Sequence, residues 1–469
     1  MSAATDEKPA RICNNTTFVE APHLPEWWNQ RRRVAWQHYL DTPPPTRKNE
    51  NWRFAETKYL RLIENLCPSQ PVSPHTRPTL IAKSQQTGGA ENALRIVIAN
   101  DTIIHFSREA ENLPGLTILP WEKALTTHRS IIEKHFQNPP LHLGSERYTH
   151  LHAAMCTNGL LIHIAKNTEL ERDIEIHHWV AGQYTGTFSQ LLIIGEPNTR
   201  ATIIEHFHSA DEHPAYLSNY TDLHAGPGSD LKLIRIQNLN RKSLCMKFLS
   251  GVAERDAHLL TCAVHLGSQF TRAENRTRLT APGGSSDMLS IALTDGNQII
   301  DQRTLQEHNA PNCRSDLLYK NALNHISKTI FSGLIRVAPG ASGTDAYQTN
   351  RNLLLTERAE ADSLPGLEIL NDDVKCSHGA TTGQVDPEQL FYLQTRGIPP
   401  RQAYRLLVLG FLEDVIARIQ DEPLQKRLEA LIEDKFSHMP DIVGDLPDTD
   451  EWAGSGAVGD IRALQGAEN

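Results

Sequence analysis

The sequence lacks most of the signatures by which a chain of 469 residues declares its chemistry. Its seven cysteines, at positions 13, 67, 156, 245, 262, 313 and 376, include no Cys-x-x-Cys pair. Neither a clustered zinc cage nor a local iron–sulfur ligand set is therefore written into it, and an odd, scattered set argues against a disulfide framework. There is no Walker A run and no Gly-x-Ser-x-Gly elbow, so any ATP-driven step requires another subunit. Gly283-Gly284-Ser285-Ser286 reads as a turn, because no helical pattern follows it to offer phosphate an N-terminus. An excess of positive charge is missing too: 46 Lys and Arg stand against 56 Asp and Glu, a formal net charge of −10. That balance excludes nucleic acid as the main partner, since phosphate binding needs a basic surface. No apolar run approaches the ~20 residues needed to span a bilayer. The opening Met1-Ser2-Ala3-Ala4-Thr5-Asp6-Glu7-Lys8 has charges but no apolar core, unlike a secretory signal. No membrane association and a cytoplasmic location are the expectations.

What is present fits a globular protein of two or three domains, with 39% hydrophobic and 22% charged residues. Residues 1–20 are polar and mixed, and are expected to be mobile. Pro25-Glu26 opens a helix in which Trp28, Arg31, Arg32, Ala35, Trp36 and Tyr39 recur at helical spacing, and Pro43-Pro44-Pro45 ends it. Residues 67–89, rich in Pro, Ser, Thr and Gly, read as a linker. Strand-like runs begin at Ile96-Val97-Ile98, and residues 121–136 read as helical. From Tyr148 to Leu367 short alternating runs such as Leu160-Leu161-Ile162-His163-Ile164 follow one another with turn residues between. This predicts an all-β region. Internal repetition is weak, so sandwich, barrel and solenoid all remain open.

The C-terminal region predicts helices. Asp386-Pro387-Glu388 supplies an N-cap, a first-turn proline and an acid, and Gly397 a C-cap. Pro399-Pro400 starts a second helix with an apolar stripe of Ala403, Leu406, Leu407, Gly410, Phe411 and Val415, while Tyr404, Val408 and Leu412 add apolar character on other faces. Glu422-Pro423 starts a third, ending near Phe436. The remainder is Asp- and Gly-rich and reads as an acidic disordered tail.

Two residue clusters suggest ligand chemistry. His206 and His208 share one face of an alternating strand beside Glu205, and His213 or His224 would serve as a third metal ligand. In a chain with 22 histidines a polar strand face is the favoured alternative. His177-His178 is weaker, since strand neighbours point to opposite faces. Cys376 and His378 are two apart, so an extended strand projects both from one face, a thiolate–imidazole pair suited to iron and its clusters. Lys375 beside them would lower the thiol pKa. Two ligands cannot complete a site, so this reads as half of one, finished by a partner chain. The alternative, which residue types alone favour, is a buried cysteine and a hydrogen-bonded histidine at a seam between sheet and helices.

Five stretches in fixed order resemble segments shared by SufB and SufD proteins: 327–337 (SKTIFSGLIRV), 345–355 (DAYQTNRNLLL), 364–369 (LPGLEI), 372–381 (DDVKCSHGAT) and 390–398 (LFYLQTRGI). Pro45-Thr46-Arg47 with Glu50-Asn51-Trp52-Arg53 resembles the SufD entry segment. The run Cys376-Ser377-His378-Gly379-Ala380 lacks the acid of the Cys-Glu-His-Glu-Ala-like run of SufB, and so looks like SufD. The resemblance implies a right-handed parallel β-helix flanked by N- and C-terminal helical regions. The expected divisions are 1–88 (helical, with mobile start and linker), 89–147 (mixed α/β), 148–370 (β-helix), 371–437 (helical) and 438–469 (tail). It implies a non-catalytic scaffold of iron–sulfur cluster assembly, paired with SufB through its β-helix and bound to the ABC-type ATPase SufC through its C-terminal helices. Phe391, Arg396, Leu407 and Phe411 become expected docking residues, although for Phe411 core packing is the better reading. His378, facing a SufB cysteine, and then Cys376 become the expected ligands of a transient Fe–S cluster, with no tightly bound cofactor. Two other readings stand beside it: a polysaccharide-acting β-helix enzyme using acids such as Asp256, Asp295 and Asp301, and a homodimeric binding module.

Overall fold

The computed structural model describes residues 18–87, 92–111, 113–136 and 141–439. The expected mobile start up to residue 17, and the tail from residue 440, lie outside these. Helix α1 (Glu26–Asp41) begins directly after Pro25 and buries Trp28, Arg32, Ala35, Trp36 and Tyr39. The stretch read as a linker is structured within the described residues: strand β1 (Cys67–Pro68) and helix α2 (Arg77–Thr87) occupy most of it. Pro78 falls in the first turn of α2, where a proline removes no needed donor, so its presence did not forbid a helix. Strands β2 (Leu94–Ala99) and β3 (Thr102–Phe106) form an antiparallel pair turned by Asn100 and Asp101, both at positive φ, and β4 (Leu116–Pro120) follows. The helical stretch 121–136 is two helices, α3 (Trp121–Thr127) and α4 (Arg129–His135), and α5 (Glu146–Met155) stands where the β region was expected to start.

The rest is a parallel β-solenoid of about 8 turns. One sheet stacks β5 (Asn158–Ile164), β7 (Thr185–Gly195), β9 (Tyr216–Ala225), β11 (Leu244–Ala253), β13 (Phe270–Leu279), β15 (Ile299–His308), β17 (Lys328–Val337) and β19 (Glu360–Ile369). The other stacks β6 (Ile174–Val180), β8 (Arg200–Ser209), β10 (Asp230–Asn238), β12 (His258–His265), β14 (Ser285–Thr294), β16 (Arg314–Leu323), β18 (Thr344–Leu354) and β20 (Val374–Gln384). Consecutive strands alternate between the sheets, so each pair makes one rung. Asp230, His258, Ser285, Arg314, Asp345 and Lys375 lie directly above one another. Across the two sheets the step from rung to rung varies between 26 and 32 residues, which is why no fixed period was visible. The solenoid runs to Gln384, past the expected boundary at 370.

The two ends differ. At the first, β3 lies antiparallel on β2 and β4 antiparallel on β5, closing both sheets. At the last, among the described residues, β19 and β20 each have a strand neighbour on one side only. Between them the pleat sorts side chains: in β18, Thr344, Ala346, Gln348, Asn350 and Asn352 are buried and alternate with more exposed residues.

Helices α6 (Pro387–Thr395), α7 (Pro400–Ala417) and α8 (Glu422–Ser437) fold back along the outer face of the β20-containing sheet. The Asp386 and Asp421 side chains cap α6 and α8, accepting from the amides of Glu388 (2.9 Å) and Leu424 (3.0 Å). The buried face of α7 is Ala403, Tyr404, Val408, Leu412, Val415 and Ile416, packed against Ile234, Ile236, Leu260 and Val264; Leu406 is 43% exposed. The expected stripe was thus turned part way round the helix. With apolar residues nearly all round, periodicity could not choose a face, and the solenoid's outer aliphatic rows chose it.

Candidate terminal-rung site

Strand β20 continues the inward-facing column of β18: Cys376 lies in register with Ala346, and His378 with Gln348. Ala346 and Gln348 are buried at 0% and 1% exposure because another rung covers them. Among the described residues nothing covers β20, so His378 is exposed, while Cys376 is half-buried against Ile335, Val337, Ala341 and Ala346. A Cβ added at Gly379 or Gly383 would meet nothing, which shows how open this face is. The Cys376 thiol is pushed up by burial and then by the Asp345 carboxylate; the expected lowering by Lys375 is not what the surroundings produce. Below this rung lies an amide lattice. Asn321 donates to Asn350 (3.1 Å) and Asn352 (2.8 Å), and Asn350 donates to Ser363 of β19 (2.7 Å). Asn352 donates in turn to Ser363 (3.2 Å) and to the Thr381 carbonyl of β20 (3.3 Å), so the lattice ties the two terminal strands together.

Next to β20 the helices leave a groove of about 420 Å³ lined by Leu353, Gln384, Gln389, Leu406, Leu407 and Phe411. Phe391 and Tyr392 on α6 are 60% and 58% exposed. The exposed Arg396 reaches back to Tyr392, its Nη2 3.3 Å from the hydroxyl and its guanidinium 5.1 Å from the ring centre. Leu407 is half-buried. Phe411 is half-buried and tied to the solenoid: the Lys320 ammonium stands 4.8 Å from its ring centre, donates to its carbonyl at 2.7 Å and pairs with Asp414. The groove and the open rung are contiguous.

The histidines fall differently from the sequence reading. His206 and His208 do share a face, while Glu205 turns into the solenoid toward His178 (3.1 Å) and Arg235 (3.2 Å). The third member is not His213, which is exposed beside Asp211, nor His224, which bonds the His135 carbonyl. It is His177, brought beside His206 by the register of β6 on β8. Reasoning within one strand missed it; the 29-residue step between 177 and 206, one rung, is the signal that finds it. Burial holds all three below the ordinary imidazole range, helped by Arg427 and, at His206 and His208, by neighbouring imidazoles.

The acids considered for polysaccharide cleavage do not converge. Asp301 is buried between Arg272 (2.5 Å) and Arg303 (2.7 Å), Asp295 is held by Arg241, and Asp256 sits in a turn at positive φ. Among the described residues no helix is long and apolar enough to cross a membrane.

A parallel β-solenoid closed at one end, open at the other among the described residues and braced by helices along one sheet places the chain in the β-helix class of folds. Comparison with known proteins narrows this. The family model for the SufBD core domain of SUF system FeS cluster assembly matches residues 178–411, half of the chain. The chain is 28% identical to the iron–sulfur cluster assembly protein SufD of Escherichia coli, over 84% of this chain and 90% of that one. It is 27% identical to SufD of Bacillus subtilis, over 89% and 96%, and 40% identical to an iron–sulfur cluster assembly SufBD family protein of Mycobacterium tuberculosis, over 38% and 47%. The chain belongs to the SufD family of the SUF iron–sulfur cluster assembly system.

Proposed function

We propose that this chain is a non-catalytic scaffold subunit of SUF cluster assembly whose open rung pairs with a SufB-like solenoid and whose α6–α7 surface docks a SufC-like ATPase. The observation that carries this is the last rung. It exposes His378 on an inward-facing column that every earlier rung keeps covered. A second solenoid end placed there would bury β19 and β20, pair their free backbone groups and bring a foreign thiolate to His378. The nascent cluster is cargo, held between His378, secondarily Cys376, and the partner's ligands, and no resident cofactor is required. The exposed Phe391 and Tyr392, with Arg396, Leu407 and the half-buried Phe411, suit an apolar helix-binding partner. ATP-driven closure of that partner would move α7, which Lys320 fastens to β16, one strand pair from the terminal rung.

The test is co-expression with SufB-like and SufC-like proteins, followed by copurification and maturation of an apo-ferredoxin. His378→Ala should retain the ternary complex but lose most maturation, whereas Phe391→Ser with Tyr392→Ser should lose the ATPase alone. Full maturation by His378→Ala would reject the ligand role. Failure to copurify would reject the assembly.

A further inference from the structure

A second concentration of ligand-type side chains lies on the outer face of β6 and β8, roofed by α2 and α8. One nitrogen from each of His177, His206 and His208 lies within 4.8 Å of the other two. We propose that these three histidines form a binding site for one divalent first-row metal ion, which enters by exchange with the side chain of Arg427.

Three observations support the donor set. His177 Nδ1 and His208 Nε2 are 3.4 Å apart. This is long for a hydrogen bond, but about the ~3.4 Å separating two nitrogens that are each ~2.05 Å from one tetrahedral ion. His177 Nε2 is buried with no hydrogen-bond partner and stands 3.6 Å from Glu175 Oε2. With the ring bound through Nδ1, that N–H would face a carboxylate, the usual outer-shell arrangement for a metal-bound imidazole. Finally, Arg427 Nη2 is 2.8 Å from His206 Nε2. A guanidinium only donates, so that nitrogen carries its lone pair, the electron pair a metal needs.

The exchange follows from charge and shape. As folded, Arg95 and Arg427 both pair with Glu175, leaving one net positive charge beside the imidazoles. A divalent ion cannot settle there until one cation leaves, and Arg427, on the surface helix α8, is the one that also blocks a ligand. The three rings lie within 11° of parallel, so coordination turns them about their Cβ–Cγ bonds, and release of His206 from Arg427 permits that rotation. Three imidazoles with a water in the fourth position suit Zn²⁺, Co²⁺ or Fe²⁺. Trp179, 4.4 Å from the His208 ring centre and donating to Ser84 of α2, closes the far wall. The assignment does not depend on any role for His378.

Co²⁺ and Zn²⁺ titrations of the purified full chain test it. One equivalent of Co²⁺ should give the visible bands of a tetrahedral site, retained when Cys376→Ser and His378→Ala are combined and lost when His206→Ala and His208→Ala are combined. Anomalous scattering from Co²⁺-soaked crystals should place the ion on all three histidines. Arg427→Ala should tighten binding about tenfold, a gain that misfolding of a histidine variant cannot imitate. Equal binding by wild type and the double-histidine variant, or binding by neither, would overturn the site; no tightening in Arg427→Ala would overturn the exchange.

Discussion

Arg272 is fully buried on β13, and replacing it with methionine offers the sharpest test of how the N-terminal region is fastened to the solenoid. Its Nη1 donates to the Asn51 carbonyl at 2.9 Å and to Asp301 at 2.5 Å; Nη2 donates to the Leu143 carbonyl at 2.8 Å; Nε donates to Glu274 at 3.0 Å. Its guanidinium lies 4.2 Å from the ring centre of Trp52, whose indole N–H donates to the Gly144 carbonyl. Methionine keeps most of the apolar volume but removes every donor. Asp301 still has Arg303 at 2.7 Å, so the group left uncompensated is Glu274, whose second oxygen already lacks a partner. Stranding one buried carboxylate costs about 3–5 kcal/mol, and two carbonyls losing donors contribute about 1 kcal/mol each within that total. Against a typical 5–15 kcal/mol of folding free energy this is large. Urea titrations followed by tryptophan fluorescence and by far-UV circular dichroism should show the fluorescence midpoint falling first, with trypsin cutting near Arg53. Arg272→Lys should be intermediate, because an ammonium cannot span both carbonyls and both acids. A loss below about 1 kcal/mol, or midpoints that move together, would refute the assignment of Arg272 as the fastener.

Three further outcomes follow from the same contacts. His258 sits between Asp230 (2.9 Å) and Asp287 (3.1 Å), and its pKa is raised to about 9 by those hydrogen bonds. Its contribution, about 1–2 kcal/mol after solvent screening, is full below the unfolded value of about 6.5 and is lost as pH rises through about 9. The melting-temperature deficit of His258→Gln should therefore be largest at pH 6 and nearly gone at pH 10; a constant deficit contradicts it. Leu412→Ala should cost about 2–5 kcal/mol in denaturant titrations and Leu406→Ala under about 1, the reverse of what the sequence stripe predicts. Thr381→Glu, on the free edge of β20, should leave the melting temperature within about 2 °C yet abolish association seen by light scattering, whether with a second copy or with a SufB-like chain.

The helix caps at Asp386, Pro387 and Gly397 were legible because they are local chemistry, and α6 and α7 fall where those residues put them. The strands were legible as alternation, but their closure into a solenoid was not, because rungs of 26 to 32 residues blur any period; resemblance to a family supplied it. Helix α2 was hidden by a composition that reads as linker, and its burial of Leu80 and Ser84 depends on Trp179, 95 residues beyond Ser84. The pairing of Cys376 and His378 on one face follows from strand geometry alone. Their exposure does not, since it depends on no further rung lying above β20 among the described residues. The histidine triad was half legible, and its third member needed the register between strands.

Natural sheets rarely leave a long edge bare, and the two ends of this solenoid show different solutions to that problem. At the first end the chain spends β3 and β4 on antiparallel covers. At the last, β20 runs for 11 residues with Lys375 as its one full charge and no proline, and β19 carries Pro365 together with the acids Glu360, Asp362 and Glu368. The blunting devices are thus concentrated on one of the two terminal strands, while the strand bearing His378 is left almost unprotected. An edge of that length invites pairing, and a fold able to cap its other end could have capped this one. Under the proposed function, this asymmetry favours a protein partner at β20, the strand from which a ligand of that partner would reach His378.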